Sequence, residues 1–250
     1  KYEVLSYQFY ARSFEGLEWC GILIPEKGER ISFGQFILFS LLKGIESGDL
    51  KEIPKSIYLV GHFTRADVPA FSDFHDLTHY LGNVRNTFIS IDQFIPLKIQ
   101  LSETEFVEIK IYLRDTMLLS PTNTKKLSDL GELVGTKKIV LDEDPVKELF
   151  YKKNMDVLRD DNWELFKKYA LVDAEICVRY ILKIIEEFYN ATGKRRVPVT
   201  LTSIGIELLL KSWKDDLGLD KEVILGQEIV TERFYQKKMG WFIKTKKIVP

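Results

Sequence analysis

The sequence predicts an α/β fold in which helices flank a mixed sheet. Strand-like stretches come first, and strands then mix with helical stretches. The run Ile57-Tyr58-Leu59-Val60 lacks alternation, as a strand buried on both faces does. A long amphipathic stretch, Asn162 to Ala191, lies late in the chain, where it can pack across a sheet.

Each element has its own signal. Val4, Leu5, Tyr7, Phe9 and Tyr10 are strand formers, so Glu3 to Arg12 reads as a strand. Glu15-Gly16 marks a turn, and Leu17 to Pro25 returns as the second arm of a hairpin. A helix is expected from Ser32 to Ser47: Ser32 is its N-cap, Phe33, Phe36, Ile37, Leu41 and Ile45 form its apolar stripe, and Gly48 ends it. Strands are expected at Asn86 to Ile91, Pro96 to Leu101 and Phe106 to Leu113. In the last of these, Glu108, Lys110 and Tyr112 alternate with Ile109, Ile111 and Leu113, which leaves one face wet. Leu127, Leu130, Leu133 and Val134 predict a short helix ended by Gly135. Along the long helix, Trp163, Phe166, Tyr169, Ala170, Ala174, Val178, Ile181, Ile185 and Phe188 mark the buried side, and Gly193 stops it. A further helix at Ser203 to Asp216 and a basic, mixed tail follow. The chain therefore divides into residues 1–193 and a C-terminal subdomain, or the start of a next domain, at 194–250.

Composition bounds the function. The 250 residues carry a net charge of -1, with 45% hydrophobic and 29% charged residues, which is ordinary for a soluble globular protein. No apolar run is long enough to span a bilayer, so no membrane association is expected and a cytoplasmic location is. Cys20 and Cys177 read as buried small hydrophobes of a reducing compartment. The near-neutral charge argues against a broad basic surface for phosphates, but not against a nuclease site, in which metal ions supply the positive charge. Lys125-Lys126, Lys194-Arg195-Arg196 and Lys244 to Lys247 read as solvated surface. His75 and His79 read as a surface pair without a third metal ligand. Phe71, Phe74, Tyr80, Phe88 and Phe94 fit a core, or stacking platforms for unpaired bases.

Three aspartates stand out. Asp67 follows the buried strand at a Gly-His turn, and Asp115 ends a strand. Asp173 lies one helical turn after Tyr169, among Val172, Ala174 and Ile176. A carboxylate on an apolar helix face costs free energy unless it is paired or binds a metal. Position alone favours a salt bridge or a helix-surface carboxylate.

The order of these features resembles the DEDD (DnaQ-like) 3′-5′ exonuclease superfamily. The order is a strand with Gly61-His62-Phe63-Thr64-Arg65-Ala66-Asp67, a strand with Asp115-Thr116, a leucine-spaced helix, then Tyr169-Ala-Leu-Val-Asp173. It is most similar to the proofreading-type domains of family B DNA polymerases of plasmid, viral or mobile-element type. The resemblance covers Glu3 to Tyr189 and implies a ribonuclease H-like fold for 1–193. It implies metal-dependent hydrolysis with Tyr169, Asp173 and Asp67 as catalytic residues, and Asp67 and Asp173 as ligands of Mg²⁺ or Mn²⁺. It places His62, Phe63 and Arg65 as nucleic-acid contacts. The implied partners are single-stranded DNA or a primer 3′ end, and a covalently attached polymerase domain. The chain departs from the family twice. Phe63 stands where the second motif has asparagine, and the Asp-x-Glu pair of the family's first strand does not occur near the start. The hairpin then matches the second and third strands, and the expectation is that the first lies upstream of Lys1 or has been lost. The chain as given is expected to be inactive. A non-catalytic module that binds single strands or braces a polymerase, and an unrelated α/β interaction domain, remain open at this point.

Overall fold

The computed structural model describes residues 3–84, 88–90, 94–100, 106–236 and 240–249. Only the backbone is described for 83–84, 88–90, 224–225 and the strands after Gly226. Strands β1 (Tyr7–Arg12) and β2 (Glu18–Leu23) form the expected antiparallel hairpin, with Tyr7 opposite Leu23 and Arg12 opposite Glu18. Helix α1 (Phe33–Glu46) follows. Ser32 caps it, accepting from Gln35 N–H, while the Gln35 side chain accepts from Ser32 N–H at 2.8 Å in return. Strands β3 (Ser56–Gly61), β4 (Ile95–Gln100) and β5 (Phe106–Asp115) make a mixed sheet of order β3-β5-β4, with β3 parallel and β4 antiparallel to β5. Gly82–Val84 and Phe88–Ser90 pair as a small ribbon. The rest of the strand expected over 86–91 lies outside the described residues.

Helix α1 covers one face of the sheet, and further helices follow β5: α2 (Leu127–Val134), α3 (Pro145–Lys153), α4 (Met155–Asp161), α5 (Trp163–Thr192), which covers the other face, and α6 (Leu201–Leu217). Two long strands, β6 (Gln227–Gln236) and β7 (Gly240–Val249), end the chain as an antiparallel pair. Period-2 alternation sends Ile109, Ile111 and Leu113 to one face of β5, where all three are buried with Phe33, Phe36, Ile37 and Leu41 of α1. Tyr7 and Phe9 of β1 join that same cluster. On the opposite face Tyr58 and Val60 of β3 meet Ile176, Tyr180 and Ile181 of α5, and Ile22 of β2 meets Phe166 of α5. The hairpin and the sheet thus share one layer between α1 and α5. Among the described residues, β1 pairs only with β2 and β3 only with β5.

Gly131 lets α2 pack closely on α5: a Cβ there would lie 2.5 Å from the Thr136 carbonyl and 3.1 Å from Ile176. Asn162 accepts from Leu165 N–H at 3.1 Å to start α5, and Gly193, at φ 73°, ends it. No helix among the described residues is long and apolar enough to cross a membrane.

Several expectations change. The strand expected to be buried on both faces, β3, is only half-buried, since one of its edges carries no strand among the described residues. Cys20 is exposed on the outer hairpin strand, and Cys177 is buried. Trp163 stays 37% exposed at the first turn of α5, while Ile176, Cys177 and Tyr180, outside the expected stripe, are buried. The reason is that sheet, hairpin and α2 grip α5 from different sides, so one stripe does not describe it. Phe71 belongs to the core, and Phe74 and Tyr80 pack against it. Helices α3 and α4 were not expected. Their start is legible in hindsight: Asp144 caps α3, accepting from Val146 N–H at 2.9 Å, with Pro145 at its first position.

Candidate functional site

The turn after β3 is built around one buried carboxylate. Asp115 ends β5 with no solvent exposure. Its Oδ1 accepts from Phe63 N–H at 3.1 Å and from Met117 N–H at 2.9 Å. Its Oδ2 accepts from Thr64 N–H at 2.8 Å and from the Thr64 hydroxyl at 2.9 Å. These bonds hold Phe63 in the left-handed region, at φ 65° and ψ 53°, which disfavours a bulky non-glycine residue. Next to it the chain passes so closely that a Cβ on Gly61 would meet Thr64 Cγ2 at 2.7 Å and Asp67 Oδ2 at 3.7 Å. His62 Nδ1 lies 2.8 Å from the Thr116 hydroxyl, and burial pulls the pKa of this imidazole below its usual range. Phe63 keeps 39% of its surface exposed, and Arg65 lies on the exposed side of the helical turn Thr64–Asp67.

Asp67 ends that turn. Its side chain reaches solvent on one side, but the close surround and the charge of Asp115 push its pKa up to about 6. The sign of the linkage follows. A raised carboxyl pKa favours the protonated folded state, so the contribution of Asp67 to stability falls as pH rises from the ordinary aspartate range through about 6, and is level above it. Asp67→Asn is expected to raise the urea midpoint at about pH 7.5 and to leave it unchanged at about pH 3.5. The gain at the higher pH should be modest, because solvent screens the exposed side.

Across from this turn, α5 presents Tyr169 and Asp173. The Lys138 ammonium lies 2.9 Å from Asp173 Oδ2 and 4.9 Å from the centroid of the Tyr169 ring. Burial raises the Asp173 pKa, and Lys138 offsets only part of that. Burial alone would lower the Lys138 pKa, but the Asp173 charge overrides it and the net shift is upward, so Lys138 is charged. Asp173 Oδ1 is buried with no hydrogen-bond partner. One turn further on, the Cys177 thiol is buried, and its pKa is raised by that burial and then by the charges of Asp173, Asp67 and Asp115. The Tyr180 hydroxyl donates to Leu119 O at 2.9 Å and ties α5 to the helical turn Thr116–Leu119 beside Asp115.

The donor set suits a hard divalent cation in kind. Carboxylate oxygens are the ligands Mg²⁺ and Mn²⁺ prefer, and Asp173 Oδ1 is a buried acceptor without a donor. Among the described residues, no three metal-ligating side chains cluster closely enough to hold an ion on their own. Sequence reasoning missed Lys138 and the latch role of Asp115. Nothing in Lys137-Lys138 distinguishes the second lysine from the first, whereas a strand-ending Asp-Thr before a short helix is a legible cap signal.

The architecture is that of a mixed α/β domain in which Asp67 and Asp115 lie at the carboxyl ends of the parallel strands β3 and β5. No family model matches the sequence, and no solved structure matches it. The chain is similar to the primer-independent DNA polymerase PolB of Escherichia coli, with 27% identity over 269 aligned positions covering 99% of this chain and 30% of that protein. It thus spans about a third of the length of the curated relative it matches, and it is related to a region of a DNA polymerase.

Proposed function

We propose that this chain is the 3′-5′ exonuclease-type domain, with a ribonuclease H-like fold, of a DNA polymerase-like protein. One observation carries the reading: Asp67 follows β3 and Tyr169 and Asp173 lie four apart on the late helix, in the motif order of that superfamily, and Asp173 Oδ1 is a buried carboxylate oxygen without a donor. The layering of hairpin and sheet between α1 and α5 supports the fold, since among the described residues β1 and β3 each pair with a strand on one edge alone. The relation to a region of PolB supports the attached polymerase.

Two hard divalent cations, when bound, would polarise an attacking water and stabilise the leaving oxygen. Asp173 and Asp67 would hold them, and the Tyr169 hydroxyl would orient the water. His62, Phe63 and Arg65 line the approach for a single-stranded 3′ end, with the exposed Phe63 ring offering a face to a base. Two carboxylates are too few for two ions, so the domain needs an Asp-x-Glu strand in the same polypeptide to act.

The Lys138–Asp173 pair favours a second reading, a non-catalytic module that binds single strands, because it already neutralises the central carboxylate. A labelled single-stranded oligonucleotide incubated with Mg²⁺ separates the two. This chain alone is expected to leave it intact. A polypeptide that also carries the Asp-x-Glu strand is expected to shorten it from the 3′ end, and Asp173→Asn to slow that by about a hundredfold or more. Robust trimming by this chain alone would overturn the requirement for the extra strand, and an Asp173→Asn enzyme as fast as its parent would overturn the site.

A further inference from the structure

Helix α6 packs on the domain by one side and leaves its apolar stripe largely exposed. Thr200 starts the helix, accepting from Ser203 N–H at 3.1 Å, and Gly218, at φ 66°, ends it. Ile204 packs against the cluster of Leu119, Leu130 and Ile176. Glu207 pairs with Lys194 and Arg196 in the segment after α5. These two residues mark the side that faces the domain. Ile206, Leu209, Leu210, Trp213 and Leu217 recur at helical spacing on another side, centred roughly 135° round the helix. There Ile206 is 51%, Leu209 47% and Leu217 63% exposed, and no residue of α6 is buried. A helix of this length draws most of its stability from burial of its apolar face. The ribbon that follows is unfinished in the same way. Among the described residues β6 and β7 pair only with each other, and a two-stranded ribbon is marginal until a further strand or a helix covers it.

We infer that this stripe is the face on which the polymerase portion of the same polypeptide docks. The inference rests on the reading of an attached polymerase. Three observations select that occupant. The similarity to PolB runs through α6, since it covers 99% of this chain, and most of that protein lies outside the aligned region. Both uncovered elements, α6 and the ribbon, come after α5, where the nuclease-type motifs have ended. The charges that border the stripe are matched inside this chain, Lys211 with Asp215 and Lys214 with Asp220, so what remains to be met is apolar. A tethered partner also needs less contact than a separate one, because the linkage holds it at high effective concentration.

The test compares side-chain oxidation by hydroxyl radicals in this chain and in the longest natural polypeptide that contains it, read by mass spectrometry. Leu209 and Trp213 are expected to oxidise severalfold more slowly in the longer form. Leu209→Asp in that form is expected to return Trp213 to the rate of the isolated chain. In this chain alone the same substitution should leave the urea midpoint unchanged, because the side chain already lies half in water. Equal oxidation in the two wild-type forms overturns the inference, and DNA synthesis by the longer form would then leave the polymerase reading standing. Protection without DNA synthesis overturns both, since the cover is then not a polymerase. Protection that survives Leu209→Asp places the cover elsewhere and overturns the inference. Slow oxidation in this chain alone, with a dimer by light scattering, assigns the stripe to a second copy and overturns it too. Should Leu209→Asp not fold, the comparison of the wild-type forms decides.

Discussion

Asp115→Ala is expected to lower the stability of this chain by about 3–5 kcal/mol, a large part of the margin by which a domain stays folded. The carboxylate is fully buried and accepts three backbone N–H groups and one hydroxyl. Alanine leaves the amides of Phe63, Thr64 and Met117 without that acceptor, and the bond from Thr64 is the fully buried one. Each stranded donor costs about 1–3 kcal/mol, though relaxation keeps such costs from adding fully. It also releases Phe63, whose left-handed backbone persists only because its surroundings impose it. Asp115→Asn should lose about half as much, since one oxygen still accepts while the new NH₂ faces a donor. Urea denaturation followed by circular dichroism measures both. A loss below about 1 kcal/mol for alanine would show that the turn is held by packing instead.

Much of this arrangement is legible in the sequence, and the reasons differ by element. Alternation along β5 gives its buried face correctly, because Ile109, Ile111 and Leu113 have one partner layer. The caps at Ser32 and Asn162 are local chemistry, readable within a few residues. The burial of α5 is less readable, because it packs on different partners along its length and so lacks a single stripe. Helices α3 and α4 escape a search for hydrophobic period, since no residue of α3 is buried and only Leu158 of α4 is. At the site, motif order singles out Asp67, Tyr169 and Asp173. It is blind to Lys138, whose role depends on where an extended segment returns to a distant helix.

Arg114 is the counterpart of Asp115. Neighbours on a strand face opposite ways, so while Asp115 serves the turn at Phe63, Arg114 points toward the layer that holds α5. It is buried, its Nε donates to Val197 O at 3.1 Å, and its Nη1 donates to Leu113 O at 2.9 Å. Its guanidinium carbon lies 5.6 Å and 5.8 Å from the ring centroids of Tyr58 and Tyr112, which stack across the β3–β5 pairing. Val197 is itself buried among Leu119, Leu130 and Ile176, so this arginine ties the chain beyond α5 to the sheet. Arg114→Ala removes the cation–π contacts, opens a cavity and strands the Val197 carbonyl, and is expected to cost about 3–5 kcal/mol. Arg114→Met refills most of the volume without bringing a charge indoors. Apolar replacement of a buried ion is often tolerated, so it should cost less than half as much. Thermal and urea unfolding of the two variants at neutral pH give the comparison. If methionine loses as much as alanine, the stability resides in the guanidinium's bonds to the Val197 and Leu113 carbonyls; if it loses little, the residue acts here mainly by filling space between two tyrosines.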